Sequence, residues 1–169
     1  MPKLIRRLRD GEFAWGEDRF TTVADEDPIP AGDVILSLAR FMAEGEALLA
    51  NRQVGVLLQP SEAVEDLAYD LPRIPVVVLA WPNFRDGRAL SSARLLRQRY
   101  GYAGEVRAVG EVLREQALHM VRCGFDAFEP ADGSDPQTWA QAALGRYRHV
   151  YQRAADAREP VFVERGSGR

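Results

Sequence analysis

Two guanidinium groups, a carboxylate, an amide and a pair of hydroxyls fall within the run Asn83-Phe84-Arg85-Asp86-Gly87-Arg88-Ala89-Leu90-Ser91-Ser92. A guanidinium grips an oxyanion with two parallel N–H donors, and the free backbone N–H groups that open a helix add donors and partial positive charge. With Ser91 or Ser92 capping a helix, Arg85 or Arg88 and those N–H groups would bind a small oxyanion. The same residues also make an ordinary turn, because Asp86-Gly87 is a turn dipeptide and Asp86 can pair with Arg88 unaided. Both readings stay open at this point.

A second polar group interrupts an apolar run. Arg107 lies inside Val106-Arg107-Ala108-Val109, and a guanidinium buried there needs a partner. Glu105 shares its face of a strand at period two, while Glu111, opening the next segment, or Asp86 can approach it in space. A structural ion pair and a substrate contact account for Arg107 equally well. The candidate anion site is therefore Asn83, Arg85, Asp86, Arg88, Ser91, Ser92, Arg107 and Glu111.

Other chemistry is poorly supplied. His119 and His149 have no partners at metal-ligand spacing, so no metal site is assigned. Cys123 is the only cysteine, which excludes an internal disulfide and a four-thiolate cluster. Its position at a helix C-terminal end suits packing better than nucleophilic attack. Gly101-Tyr102-Ala103-Gly104 precedes a strand instead of following one, so it lacks the setting of a dinucleotide-binding turn, and there is no phosphate loop or nucleophile elbow. Catalytic residues and cofactor are left unassigned, with a flavin in an unmarked site still open. Trp81, at the head of the arginine loop, is the tryptophan placed to line a pocket.

The elements that must position these residues follow a βα rhythm. Strand-length apolar runs occur at Val34 to Leu38, Val54 to Leu58, Val76 to Ala80, Val106 to Val109 and Phe125 to Phe128. Each start is about twenty to thirty residues after the last, enough for a helix to return the chain and lay the next strand in parallel. The unbroken runs VVVLA and VGVLL predict central strands covered by helices on both faces. Helical spacing follows in Ala39 to Ala50, where Val34 to Ala50 can also be read as one long helix, in Val64, Leu67, Ala68 and Leu71 after Pro60-Ser61, in Ala93, Leu96 and Tyr100, and from Gly110 to Cys123 with Gly124 as a C-terminal cap. Ser134-Asp135-Pro136-Gln137 opens a last, long helix to about Ala155, with Trp139, Ala143, Tyr147, Val150 and Ala154 on the sheet. Upstream, Phe13, Trp15, Phe20 and Val23 flank a turn-like Gly16-Glu17-Asp18 and predict a hairpin over 12–23.

The expected fold is thus one α/β domain spanning 1–169: a mostly parallel sheet of about five strands in a βα core over 33–155, a short N-terminal β-hairpin, a long C-terminal helix and a frayed tail over 164–169. With 169 residues, 46% of them apolar, the chain can enclose a core without staples. A net charge of −3 gives no general pull toward nucleic acid or an anionic membrane. Lys3 is the only lysine, so arginine abundance reflects codon composition and each arginine cluster is discounted accordingly. No run approaches a membrane span or a leader's apolar segment, which makes cytoplasm the expected address. A homo-oligomer stays open.

The runs Pro82 to Arg88, Ser92 to Arg97, Tyr100 to Gly110 and Arg122 to Phe128 resemble the bacterial family called domain of unknown function 934, over roughly Val34 to Phe128. The chain departs from that pattern with Ala89-Leu90 in place of a glycine-aromatic pair, and with Glu111 and Glu115 where aspartates are frequent. The resemblance implies a link to assimilatory sulfate reduction, since members are encoded beside the sulfite reductase haemoprotein and described as probable oxidoreductases. Sulfite reduction takes six electrons through redox centres this chain cannot build alone. The implied role is therefore an accessory partner of that haemoprotein. The alternatives are an enzyme binding a small oxyanion or a nucleotide at the arginine loops, and a flavin-dependent oxidoreductase.

Overall fold

The computed structural model describes residues 4–8, 11–145, 149–156 and 158–166. Three short strands precede the first long apolar run: β1 (Leu4–Arg7), β2 (Phe13–Gly16) and β3 (Phe20–Thr22). The expected hairpin over 12–23 does not form. β2 pairs antiparallel with β1, placing Trp15 opposite Ile5, whereas β3 pairs in parallel with β4 (Asp33–Ser37), placing Phe20 opposite Asp33. Alternating apolar residues mark a strand but do not name its partner. β1 itself, Leu-Ile-Arg-Arg, is hidden in the sequence by its arginines.

The remaining strands are β5 (Val54–Leu58), β6 (Val76–Trp81), β7 (Glu105–Gly110) and β8 (Ala127–Phe128). All five expected strands are present, and β1 to β3 bring the sheet to eight, in the order β2-β1-β8-β7-β6-β5-β4-β3. Every neighbouring pair from β3 to β8 is parallel, and the two antiparallel pairs are those that β1 makes with β2 and β8.

This order forces the sheet to curl. β2 and β3 sit at its two ends, yet only Glu17, Asp18 and Arg19 join them. From Gly16 to Phe20 an extended chain reaches about 14 Å, while the outer strands of a flat eight-stranded sheet lie roughly 34 Å apart. The sheet is therefore a curled half-barrel with its ends drawn together by a three-residue strap. Gly55 on β5 permits the tight inner curve: a Cβ there would stand 2.5 Å from Val76 Cγ1 and 3.0 Å from Ile35 Cγ1.

The helices are α1 (Leu38–Leu49), α2 (Arg88–Gln98), α3 (Ala117–Cys123), α4 (Pro136–Ala140) and α5 (Val161–Gly166). The main core joins the outer residues of the sheet, such as Ile5, Val56, Leu79 and Phe128, to Phe41, Leu96, Met120 and Trp139 from the helices. A second, smaller cluster of Ile35, Val76 and Val78, with Phe20, Leu57 and Val109 against it, contains no helix residue. The unbroken apolar runs are thus explained differently from the expectation. Helices cover the outer face, and the inner face is apolar because it lines the curl.

Four helix expectations are corrected, the one over Gly110 to Cys123 because the chain is still strand at Gly110 and turns helical only at Arg114, as a 3₁₀ turn leading into α3. The segment after Pro60 makes two 3₁₀ turns, Val64–Leu67 and Leu71–Arg73, instead of an α-helix. Residues three apart eclipse in that geometry, which buries Val64 and Leu67 together while leaving Ala68 outside. α2 starts at Arg88 with Gly87 as its cap, so Ser91 and Ser92 lie inside the helix. The last helix does not reach Ala155: α4 passes into one π-helical turn, Gln141–Gly145. Trp139 and Ala143 complete the core there, and Val150 is buried instead by a bridge to Pro160. Tyr147 lies outside the described residues, as does the tail from 167, whereas Glu164 belongs to α5. No helix of the described residues is long and apolar enough to cross a membrane.

Candidate functional site

The arginine loop leaves the C-terminal end of β6 and is built from its own short-range bonds. Asn83 Oδ1 accepts from the Arg85 N–H at 2.8 Å. Asp86 Oδ1 accepts from Arg88 Nε at 2.9 Å and its Oδ2 from Arg88 Nη2 at 2.6 Å, a bidentate pair at the mouth of α2. The hydrogen bonds of Arg88 hold the Asp86 carboxyl below the usual carboxylate range. Glu111 is a clamp on this loop: its Oε2 accepts from the Phe84 N–H at 2.9 Å, while Gln116 donates to the Phe84 carbonyl. Ser92 Oγ bonds back to the Arg88 carbonyl, and Ser91 is exposed. Arg85 alone keeps an exposed guanidinium with no partner among the described residues.

Arg107 belongs to a different structure. It points into the curl, with 3% of its side chain exposed, and the strap closes on it. Asp18 takes Nη1 at 2.6 Å and Nη2 at 3.2 Å, and Glu105 Oε1 takes Nε at 2.8 Å. The second oxygen of Glu105 binds Arg6 Nε at 2.8 Å, and Arg6 Nη1 donates to the Glu17 carbonyl. At the far side of the strap, Arg19 bonds Gln53 and pairs with Asp33. Two guanidiniums and two carboxylates thus form a neutral chain from β1 through β7 to the strap. Charges taken from water persist only when paired in this way. The expected Glu105 partner is present; Glu111 and Asp86 do not join it.

The strap lies where β3 begins, at the N-terminal ends of the parallel strands, and so closes one end of the curl. Above it is a bowl of about 1030 Å³ lined by Trp15, Phe20, Ile35, Leu57, Val78 and Val109, with Arg107 and Asp18 toward the strap. Gly16, Glu17, Thr21, Thr22 and Glu129 complete the lining. The volume is that of a pocket for a cofactor-sized molecule. Glu129 follows β8 directly, its N–H donating to the Ala108 carbonyl at 3.0 Å. Its carboxyl makes no hydrogen bond among the described residues, and burial pushes it above the usual carboxylate range against the pull of Arg107.

Of the eight residues marked in the sequence, only Arg107 lines the bowl. Asn83, Arg85 and Asp86 stand on the loop that leaves β6, Arg88, Ser91 and Ser92 in α2, and Glu111 beside the loop. Asp18, Glu129, Trp15 and Phe20 were missed. Glu129 had a legible signal, a carboxylate directly after the last apolar strand; Asp18 had none, being 89 residues from its partner. Trp81 is buried against Phe125 and does not line the bowl. Among the described residues no group of three His, Cys, Asp or Glu side chains is arranged for a metal. Burial raises the pKa of the Cys123 thiol, and His149 Nδ1 sits 2.6 Å from Glu164.

Comparison with curated proteins gives no match. A family model described as a bacterial protein of unknown function (DUF934) matches residues 55–162, which hold Leu57, Val78, Arg107, Val109 and Glu129 of the bowl, whereas the strap and Ile35 precede the match. Spanning well over half of the chain, from β5 to the start of α5, that match establishes that the protein belongs to the bacterial DUF934 family.

Proposed function

We propose that this protein binds a nucleotide-like small molecule at the C-terminal ends of its parallel strands, with the ring in the bowl and the anionic group at the rim. The observation that carries this reading is the bowl itself. It is a largely apolar, aromatic-walled cavity lined from the parallel strands, with a neutral ionic floor at their N-terminal ends, and ligands of parallel sheets collect at the opposite, C-terminal ends. The loop after β6 rises from the same end, and Arg85 offers it a free guanidinium beside the start of α2. An anion inside the bowl is disfavoured, since Arg107 is already satisfied and faces the carboxylates of Glu17, Asp18 and Glu129. The oxyanion expected from the arginine loop is therefore the rim end of a larger ligand.

The accessory role beside the sulfite reductase haemoprotein, implied by the resemblance, is carried by no feature of the described residues. It bears only on which ligands to try. The test is thermal unfolding with GMP, AMP, UMP, FMN, sulfite or sulfate. A binder present at about 100 times its Kd should raise Tm by roughly 5–10 °C. Leu57→Trp, which fills the bowl from a half-buried position, should remove the shift, and Arg85→Ala should weaken binding several-fold. A shift given by sulfite or sulfate alone, or one that survives Leu57→Trp, would sink the reading.

A further inference from the structure

Among the described residues the bowl has one cation, Arg107, and it is spent. Both Nη atoms of Arg107 are held by Asp18, and its Nε by Glu105. Asp18 is occupied in turn, since Oδ1 also takes the Phe20 N–H at 3.1 Å. Thr21 and Thr22, on the edge strand, can turn their hydroxyls either way. Two lining carboxylates remain: Glu17, exposed on the strap, and Glu129, half-buried with no side-chain hydrogen bond among the described residues and set by a backbone bond at the end of β8 beside Val109 and the Arg107 floor. Water meets such an acceptor in the unliganded protein, and a ligand that displaces that water must bring donors of its own.

A carboxylate presents two coplanar acceptors about 2.2 Å apart, a spacing matched by two parallel N–H groups, as in its pairing with arginine. Among planar rings, guanine and pterin carry such an edge, a ring N–H beside an exocyclic amino group. Uracil and the flavin ring present one N–H between two carbonyl oxygens, and those carbonyls meet a carboxylate as like meets like. Adenine presents one donor beside one acceptor.

Resting on the ligand site proposed above, we infer that Glu129 is its specificity-determining residue and that the bowl selects a ring with two adjacent N–H donors, of the guanine or pterin class. Glu129 accepts both hydrogen bonds at the inner edge of the ring, and the apolar walls of Leu57, Val78 and Val109 take its body.

Isothermal titration of the full chain with GMP, pterin, UMP and FMN tests this, with Glu129→Gln as the isosteric variant. Because the Glu129 side chain makes no hydrogen bond within the described residues, the variant is expected to keep the wild-type fold, which its Tm checks. GMP or pterin should bind about 10-fold or more tighter than UMP and FMN, a difference set by the Glu129 oxygen that the poorer ligands leave without a donor. In Glu129→Gln that preference should collapse to within about 3-fold. Tight GMP with weak pterin would identify a nucleotide, and the reverse a free pterin. If UMP or FMN binds as well as GMP and pterin, and Leu57→Trp abolishes it, the bowl stands and the role of Glu129 is overturned. An unchanged preference in Glu129→Gln overturns it equally. If none of the four binds, the ligand site itself falls.

Discussion

Arg88 and Arg107 are both gripped by the two oxygens of an aspartate, yet they belong to opposite kinds of structure. The Arg88 partner is two residues away, and 61% of the Arg88 side chain is exposed. The Arg107 partner is 89 residues away, and 3% of the Arg107 side chain is exposed. The first pair shapes a turn that water and salt can reach. The second holds the ends of the sheet together and forms the floor of the bowl. The same chemical contact is a local convenience in one place and a condition of the architecture in the other, and what separates them is burial and chain separation.

Removing Arg107 should break the comparison most visibly. Arg107→Ala leaves Asp18 and Glu105 facing each other in a largely buried site, and the loss of one partner from a buried ionic group costs about 3–5 kcal/mol. Urea denaturation should show that loss, and a variant near wild-type stability would mean that water already solvates the floor. Asp18→Asn keeps shape and one acceptor but withdraws the charge, so a smaller loss of about 1.5–3 kcal/mol is expected. It should also loosen the strap, read as faster amide exchange at Phe20 and Thr22. Arg88→Ala should do little, with Tm within about 2 °C of wild type and a difference that added salt shrinks further. If Arg88→Ala proves as damaging as Arg107→Ala, burial is not what distinguishes the pairs.

The same contrast explains what the sequence could tell. Val54 to Leu58 and Val76 to Ala80 were legible as strands because their apolar runs are unbroken, one face packing on helices and the other lining the curl. Arg107 was legible as needing a carboxylate, and Glu105 as supplying one, because strand periodicity fixes neighbours at two residues. Everything set by topology was not. The hairpin read from Phe13 to Val23 is two strands at opposite ends of the sheet, since local alternation is the same whichever partner a strand finds. The bowl exists only because the sheet curls, so its lining from Trp15 to Glu129 has no footprint in any single segment. The overextended last helix has the same origin. Apolar spacing continues past Gly145, but with Trp139 and Ala143 already buried on the sheet, Val150 packs on a bridge to Pro160 instead.

The smallest effect separates the two regions by sign. Asp86, hydrogen-bonded to Arg88, has its folded-state pKa lowered, so its contribution to stability is present above the ordinary carboxylate value and is lost as pH falls through the lowered one. Glu129 is the reverse. Burial raises its folded-state pKa above the ordinary value near 4.5, so below that value both folded and unfolded chains hold the proton and nothing is lost. As pH rises through the raised value, the unfolded chain ionises freely while the folded one must place a charge in the bowl, and stability declines. Glu129→Gln removes that penalty. It should match wild type at pH 4 and exceed it at pH 8, by roughly 1 kcal/mol or less because the carboxyl is still partly solvated. Asp86→Asn should differ from wild type only toward neutral pH as well, but as a loss. Urea denaturation of both variants at pH 4, 6 and 8 reads the two slopes together. A Glu129→Gln protein less stable than wild type at pH 8 would mean that a partner already satisfies the Glu129 carboxylate in the unliganded protein, which is the condition the bowl's selectivity excludes.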